Sequence, residues 1–284
     1  MSRLVENIFE RLDRCYYDLT GAERRVADYA LHHRGEVQFL SIGELAERSK
    51  VAEATVTRFC RRLGCAGYSA FKLALATASA PRRGVGAENS GDGDSLPELG
   101  RRILAADAEA MEKTLEVLDP KALDRAVELL EQAGRVLCMG QGGSMLMAAE
   151  AAHLFSSVSG KFTPVSDGHM QVMAAASLSP VDAVLYFSYS GATKDMADTL
   201  RVVREQGAKV ILVTRFPRSP GAALADLVLQ CASSESPLET GSVAARIAQL
   251  YLLDVLFARY CAADPEICGE NRRRIAAALT EKHL

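Results

Sequence analysis

No stretch of the 284-residue chain approaches the roughly 20 consecutive apolar residues that a membrane-spanning helix needs. The opening segment, MSRLVENIFERLDR, is charged throughout and has no apolar signal core, so a cytoplasmic protein with no membrane partner is expected. None of the seven cysteines (15, 60, 65, 138, 231, 261 and 268) forms a CxxC pair, and they sit among apolar neighbours. That spacing excludes a zinc ribbon and a disulfide scaffold, and predicts reduced thiols and no metal site. There is no excess of basic charge either: the net charge is −3, which does not by itself suggest nucleic acid. With 49% apolar and 24% charged residues, the chain has the composition of an ordinary globular protein of one large or two smaller domains.

The average hides a division near residue 80. The stretch PRRGVGAENSGDGDS (81–95) holds four glycines, one proline and almost no apolar side chains, and reads as a linker. This predicts one domain over 1–80 and a second over 96–284. Residues 1–80 carry 12 basic and 10 acidic side chains, net +2, and the remainder is net −5. Within 48–72 the bias sharpens to +5: Arg48, Lys50, Arg58, Arg61, Arg62 and Lys72 stand against Glu53 alone. A basic patch on an acidic chain points to an anionic partner for the first part, or to a solvated helix face.

The first 80 residues read as helices only. Leu4, Val5, Ile8, Phe9 and Leu12 recur at helical spacing. Thr20-Gly-Ala-Glu23 and Ser41-Ile-Gly-Glu44 are capping boxes that open two helices, the second carrying Leu45 and Ala46 and running out near Ser49-Lys50. Val56, Phe59, Cys60 and Leu63 then mark a further amphipathic helix stopped by Gly64. Two short helices so close together form either a helix-turn-helix unit or part of a plain three-helix bundle. In the first case the second helix enters the major groove of duplex DNA, its first turn reading bases and its later basic residues holding phosphates. The candidate contact residues are Lys50, Glu53, Ala54, Thr55, Thr57, Arg58, Arg61 and Arg62.

Beyond the linker the pattern changes to α/β. Apolar runs at 135–139, 182–187, 208–214 and 227–231, with a weaker one at 162–165, alternate with helical stretches, which predicts a parallel sheet flanked by helices. Ligands on such sheets bind at the carboxyl ends of the strands. Two strand-to-helix loops there suit an anion. One offers Gly140, Gly142 and Gly143 with Ser144 at a helix start; the other offers Ser188, Ser190 and Thr193 around Gly191. Helix N-termini present unpaired amides, and the hydroxyls add uncharged donors for a phosphate. A dinucleotide fingerprint is disfavoured because Met145 occupies the position where glycine or alanine is wanted, and no Gly-Lys-Ser/Thr follows. A serine-capped helix with no ligand is the plainer alternative for the second loop. The apolar helix of 243–257, with Ile247, Leu250, Tyr251 and Leu252, reads as core or subunit interface, and Arg272-Arg273-Arg274 as a solvated face.

The run LSIGELAERSKVAEATVTRFCRRLGCAGYSAFK (40–72) resembles the N-terminal DNA-binding domain of the RpiR family of bacterial transcriptional regulators. GQGGS and FSYSGATKD resemble the two phosphosugar-binding loops of the sugar isomerase (SIS) domain that forms the second half of that family, and GAKVILVTRFPRSPGAALAD and GSVAARIAQLYLLD also fit. The resemblance implies a homodimer or homotetramer in which a phosphorylated sugar controls binding to double-stranded operator DNA, with no cofactor. It assigns Ser144, Ser188, Ser190 and Thr193 to the phosphate. Two departures stand out. Ala52 occupies the position where the family usually has a serine capping the recognition helix. Leu238-Glu239-Thr240 lacks an expected basic pattern, so Glu239 is a candidate for the sugar hydroxyls. The competing reading is a sugar-phosphate isomerase, lyase or etherase, with Glu239, His169 and His153 as the acid–base candidates; His153, in an apolar helix, fits a core or interface position better. A helical DNA-binding module has no purpose in an isomerase, and no catalytic residue is therefore assigned.

Overall fold

The computed structural model describes residues 8–79, 95–233 and 242–280. The expected linker at 81–95 lies, but for Ser95, outside the described residues, as do Leu4 and Val5. The chain divides into two compact units, one formed by the N-terminal helices and the other by the sheet and its helices.

The first unit is all α: α1 (Ile8–Cys15), α2 (Gly21–His32), the single turn α3 (Arg34–Val37), α4 (Ile42–Arg48), α5 (Glu53–Arg62) and α6 (Tyr68–Ser79). Both capping boxes form. The Thr20 and Ser41 hydroxyls accept from the Glu23 and Glu44 amides at 3.3 and 3.1 Å, and each glutamate accepts from the backbone amide of its cap residue. Apolar positions at helical spacing converge on one core in which Leu12, Val26, Leu45, Val56, Phe59, Phe71 and Leu75 are wholly buried. Phe59 and Phe71 meet edge to face at 5.4 Å, joining α5 to α6.

The second unit is built on five parallel strands in the order β2-β1-β3-β4-β5. They are β1 (Val136–Gly140), β2 (Phe162–Val165), β3 (Ala183–Phe187), β4 (Lys209–Thr214) and β5 (Leu227–Gln230). Every residue of β1 and β3 is buried, as expected of parallel strands covered on both faces. Alternate side chains sort to opposite faces. Val136 and Cys138 of β1 and Leu185 and Phe187 of β3 pack against α8 (Pro120–Gln132), α9 (Gly143–Ser156) and α12 (Val243–Ala263). Leu137, Met139, Val184 and Tyr186 pack against α10 (Gly168–Ala176) and α11 (Lys194–Glu205). The part of α7 (Leu96–Val117) from Leu104 onwards belongs to this unit and is tied in by Thr114, whose buried hydroxyl donates to the Ala110 and Ala232 carbonyls. α13 (Pro265–Thr280) closes the chain, with Arg272, Arg273 and Arg274 exposed. The apolar 243–257 stretch is mostly core: Ala248, Leu252 and Leu256 of α12 are buried, while Leu250 stays 41% exposed.

Asp182 fixes the entry ends of β1 and β3. It accepts from the Arg135 amide and guanidinium and from the Ser179 amide and hydroxyl, at 2.8–3.4 Å. The Arg135 guanidinium, followed by the Ser179 donors, holds its carboxyl down at about 2 against the opposing effect of burial. A depressed carboxylate contributes stability that is fully present above the unfolded-state value of about 3.9 and is lost as pH falls towards 2. Asp182→Asn should therefore cost about 1–3 kcal/mol at neutral pH. Denaturant unfolding of wild type and variant across pH 2–7 should show that difference shrinking below about pH 4; a gap independent of pH would rule out the carboxylate as its source.

Candidate functional site

In the first unit α4 and α5 are separated by Ser49–Ala52. The turn is made by Lys50, which has φ +54°, the one non-glycine residue with positive φ among the described residues. Its amide donates to Glu47 O and that of Val51 to Ala46 O, at 3.0 and 2.8 Å, closing α4 with a Schellman pair of bonds. Ala52 is the N-cap of α5 and makes no side-chain cap hydrogen bond, so the serine cap usual in the family is absent at this position. Gly64, at φ +79°, closes α5 with a second pair, Gly64 N to Arg61 O and Cys65 N to Cys60 O, each 3.0 Å.

The contact residues expected from sequence separate into three groups. Lys50, Glu53, Ala54, Arg58 and Arg61 are exposed, and Thr57 is half-buried beside them. Thr55 is a correction: it is buried, and its hydroxyl accepts from the Arg58 guanidinium at 3.2 Å, so it orients an arginine instead of facing outwards. Arg62 is exposed but engaged. It donates to Asp18 O and lies 3.7 Å from the carboxylate of buried Glu23. Burial would raise the Glu23 carboxyl, but the Thr20 amide and hydroxyl, then Arg62 and Arg58, outweigh it and hold it below its ordinary value. Arg62 thus braces the bundle. Arg25 of α2, not singled out from sequence, reaches the Lys50 carbonyl and adds a cation beside the turn.

In the second unit both glycine- and hydroxyl-bearing loops leave the carboxyl ends of neighbouring strands, with Gly140 of β1 in register with Phe187 of β3. From β1 the chain proceeds to β2 on one side, and β3 leads to β4 on the other. This is the reversal point at which open α/β sheets bind ligands. Gly140 cannot carry a Cβ, which would stand 2.5 Å from Ser144 O, and Gly142 caps α9 at φ +54°. In the second loop Gly191 has φ +59°, and a Cβ there would lie 2.1 Å from Ser219 Oγ. Its carbonyl accepts from the Gly221 amide at 2.8 Å, and Thr214 Oγ1 donates to Tyr189 O at 3.1 Å, so the loop is strapped to the segment after β4.

The hydroxyls differ in availability. Ser188 is buried and accepts from the Gly191 amide at 3.2 Å, which makes it a turn-former. Ser190 is exposed and accepts from Ala192 N at 3.3 Å. Thr193 stands at the N-cap of α11 without capping it. The α11 terminus therefore keeps its positive end uncapped by a side chain, with Ser190 and Thr193 beside it. Ser144 is half-buried in the first turn of α9, alongside Gly143.

A buried amide not foreseen from sequence holds the strand ends. Gln171 of α10 donates to the Gly140 and Val165 carbonyls, each at 2.9 Å, and accepts from Gln141 Nε2 and the Tyr186 hydroxyl at 3.1 and 3.2 Å. Burial pushes the Tyr186 phenol up to about 12, keeping it a donor. Of the acid–base candidates, His169 is exposed at the start of α10. His153 is exposed on α9, which removes the core alternative of its expected core or interface position, and Glu239 lies outside the described residues. Among the described residues no group of three or more His, Cys, Asp or Glu could hold a metal ion, and no helix is long and apolar enough to cross a membrane.

Comparison with known proteins matches both halves. The model of the helix-turn-helix domain, rpiR family, matches residues 6–82, and that of the SIS domain matches residues 129–259. The HTH-type transcriptional regulator HexR of Pseudomonas aeruginosa is 32% identical over 259 residues, 90% of this chain and 88% of that protein. An uncharacterized HTH-type transcriptional regulator of Haemophilus influenzae is 29% identical over 283 residues, 98% of each chain. Among solved structures, the NanR protein of Vibrio vulnificus complexed with ManNAc-6P superposes with a TM-score of 0.86 at 28% identity, covering 98% of this chain and 99% of that one.

The strapped loop yields a sharp expectation. Gly191→Ala should destabilise the second unit by at least about 2 kcal/mol, from its φ and from the collision with Ser219. Adding Ser219→Gly should recover part of that loss in thermal unfolding. A single variant as stable as wild type would contradict the close approach.

Proposed function

The chain belongs to the RpiR family of helix-turn-helix regulators that carry a SIS domain, and from that premise we propose that it is a transcriptional regulator whose hold on operator DNA is set by a phosphorylated sugar. The observation that carries the reading is the pairing, in one chain, of an exposed arginine face on α5 with hydroxyl-bearing loops at the β1/β3 reversal. The division into a DNA-binding domain (1–80), a linker (81–95) and a sensor domain (96–284) follows from it.

On the DNA side, α5 enters the major groove, with Glu53, Ala54 and Thr57 towards base edges and Lys50, Arg58 and Arg61 towards phosphates or guanines. Thr55 and Arg62 act from behind, one holding Arg58 and the other holding Glu23. On the sensor side, Ser144, Ser190 and Thr193 donate hydroxyls to the effector phosphate at the α11 N-terminus. Gly140, Gly142, Gly143 and Gly191 let backbone approach it, Ser188 shapes the loop, and Glu239 meets sugar hydroxyls. The ligand of the Vibrio vulnificus relative, ManNAc-6P, supports a phosphosugar as the effector class. The protein acts in the cytoplasm as a homodimer or homotetramer and is not a catalyst; the relatives named as transcriptional regulators support that last point.

The test uses the purified full chain. A panel of hexose, pentose and N-acetylhexosamine phosphates, screened by thermal shift and then calorimetry, should include a binder. Ser190→Ala should weaken it roughly ten- to a hundredfold, the loss of one hydrogen bond to a charged group, with the melting temperature of the free protein unchanged. The Arg58→Ala/Arg61→Ala double variant should lose duplex DNA and keep its fold, whereas Arg62→Ala should lower the stability of the first unit. Undiminished DNA binding by the double variant would contradict the α5 assignment. Turnover of a sugar phosphate that disappears in Glu239→Gln would replace the regulator with the isomerase reading.

A further inference from the structure

We propose that Cys261 and Cys268 are a peroxide-oxidisable dithiol that closes to a disulfide across the corner between α12 and α13. The two residues stand on either side of the break at Asp264-Pro265, where one helix ends and the next begins. Cys268 belongs to the buried apolar cluster against which Cys261 packs. Arg272, one turn beyond Cys268, donates Nη2 to Cys261 Sγ at 3.7 Å, so a cation stands ready to pair with a thiolate there. Arg272 is itself held over the Phe257 ring at 5.3 Å, and Asn271 ties α13 to the Val158 carbonyl at 2.8 Å. The corner is therefore fixed before any reaction.

The two thiols are unequal in the way a reactive pair requires. Cys261 is half-buried and faces the arginine. Cys268 is 6% exposed, and burial pushes its thiol up to about 11. Cys261 is thus the attacking sulfur and Cys268 the resolving one. Elsewhere Cys60 and Cys138 are buried and pushed up to about 12, with no cation donating to either among the described residues.

The chemistry balances with hydrogen peroxide as the oxidant. The Cys261 thiolate attacks one peroxide oxygen, the O–O bond breaks, and the departing hydroxide takes up the proton that Cys261 released, leaving as water. Cys261 is then a sulfenic acid. The Cys268 sulfur attacks it, the S–S bond forms as the S–O bond breaks, and the Cys268 proton leaves with the oxygen as a second water. Two thiols are oxidised by two electrons and one peroxide is reduced to two waters. The loop enclosed is short, so the bond adds little to folding stability and suits reversible formation.

The full-length protein is treated with low-millimolar hydrogen peroxide, alkylated and digested with trypsin. Both cysteines fall in one peptide, residues 260–272, bounded by Arg259 and Arg272. That peptide should become lighter by two hydrogens and revert with dithiothreitol. In C268S, Cys261 should stop at a sulfenic acid that dimedone captures; in C261S, Cys268 should stay reduced; and R272A should slow oxidation severalfold. An unmodified 260–272 peptide while thiols are lost elsewhere would overturn the proposal. So would a disulfide that joins two chains on a non-reducing gel, or a Cys268 that reacts at the wild-type rate in C261S.

Discussion

The second unit depends on one adjacency. β1 and β3 are hydrogen-bonded along their whole length, yet the chain leaves them towards opposite edges of the sheet. The loops that follow cannot be covered by a single crossover helix, so they stand open at the same end. The packing around them serves that opening. Asp182 and Arg135 pin the entry ends of both strands. At the exit ends Gln171 uses both amide hydrogens and its carbonyl oxygen to hold Gly140, Val165, Gln141 and Tyr186. A buried amide with every valence satisfied resists displacement, because any shift would leave a polar group unpaired. The carboxyl ends of β1, β2 and β3, from which these loops leave, are thereby held in place.

The first unit applies the same economy to charge. A basic surface is useful for contact only where its cations are not already spent. Arg62 is committed to Glu23 and Asp18, and Arg48 to Glu36 and Tyr29. Arg58 and Arg61 remain at the exposed face of α5, the first oriented by Thr55. The turn that sets the angle of α5 against α4 rests on Lys50 in a left-handed conformation that glycine would adopt more easily. Lys50 thus carries a backbone cost to folding together with an exposed charge just before the first turn of α5.

Much of this was legible in the sequence, and what was not has physical causes. The capping boxes at Thr20 and Ser41, the strand runs and the glycine loops are local features, and each fell within a residue or two of its expected place. Thr55 was misread as outward although it lies four residues before Phe59 and one before Val56, within the width of the buried stripe; its hydroxyl disguised it. The brace between Arg62 and Glu23 joins residues far apart in the chain and has no local signature. Gln171 looks like any polar residue of a short helix until the strand ends are assembled around it. His153, read from its apolar neighbours as core or interface, is not core: it is exposed on α9.

The central claim is that the phosphosugar site and the DNA-binding helices are coupled. Coupling of two binding equilibria is reciprocal: operator must change effector affinity by the factor by which effector changes operator affinity. The most direct measurement is calorimetric titration of the identified phosphosugar into the full-length protein, free and saturated with operator duplex, alongside titration of the operator with and without the phosphosugar. The account predicts unequal effector affinities in the two states, with a ratio matching that of the operator titrations. Effector affinity that is the same with and without operator would contradict it.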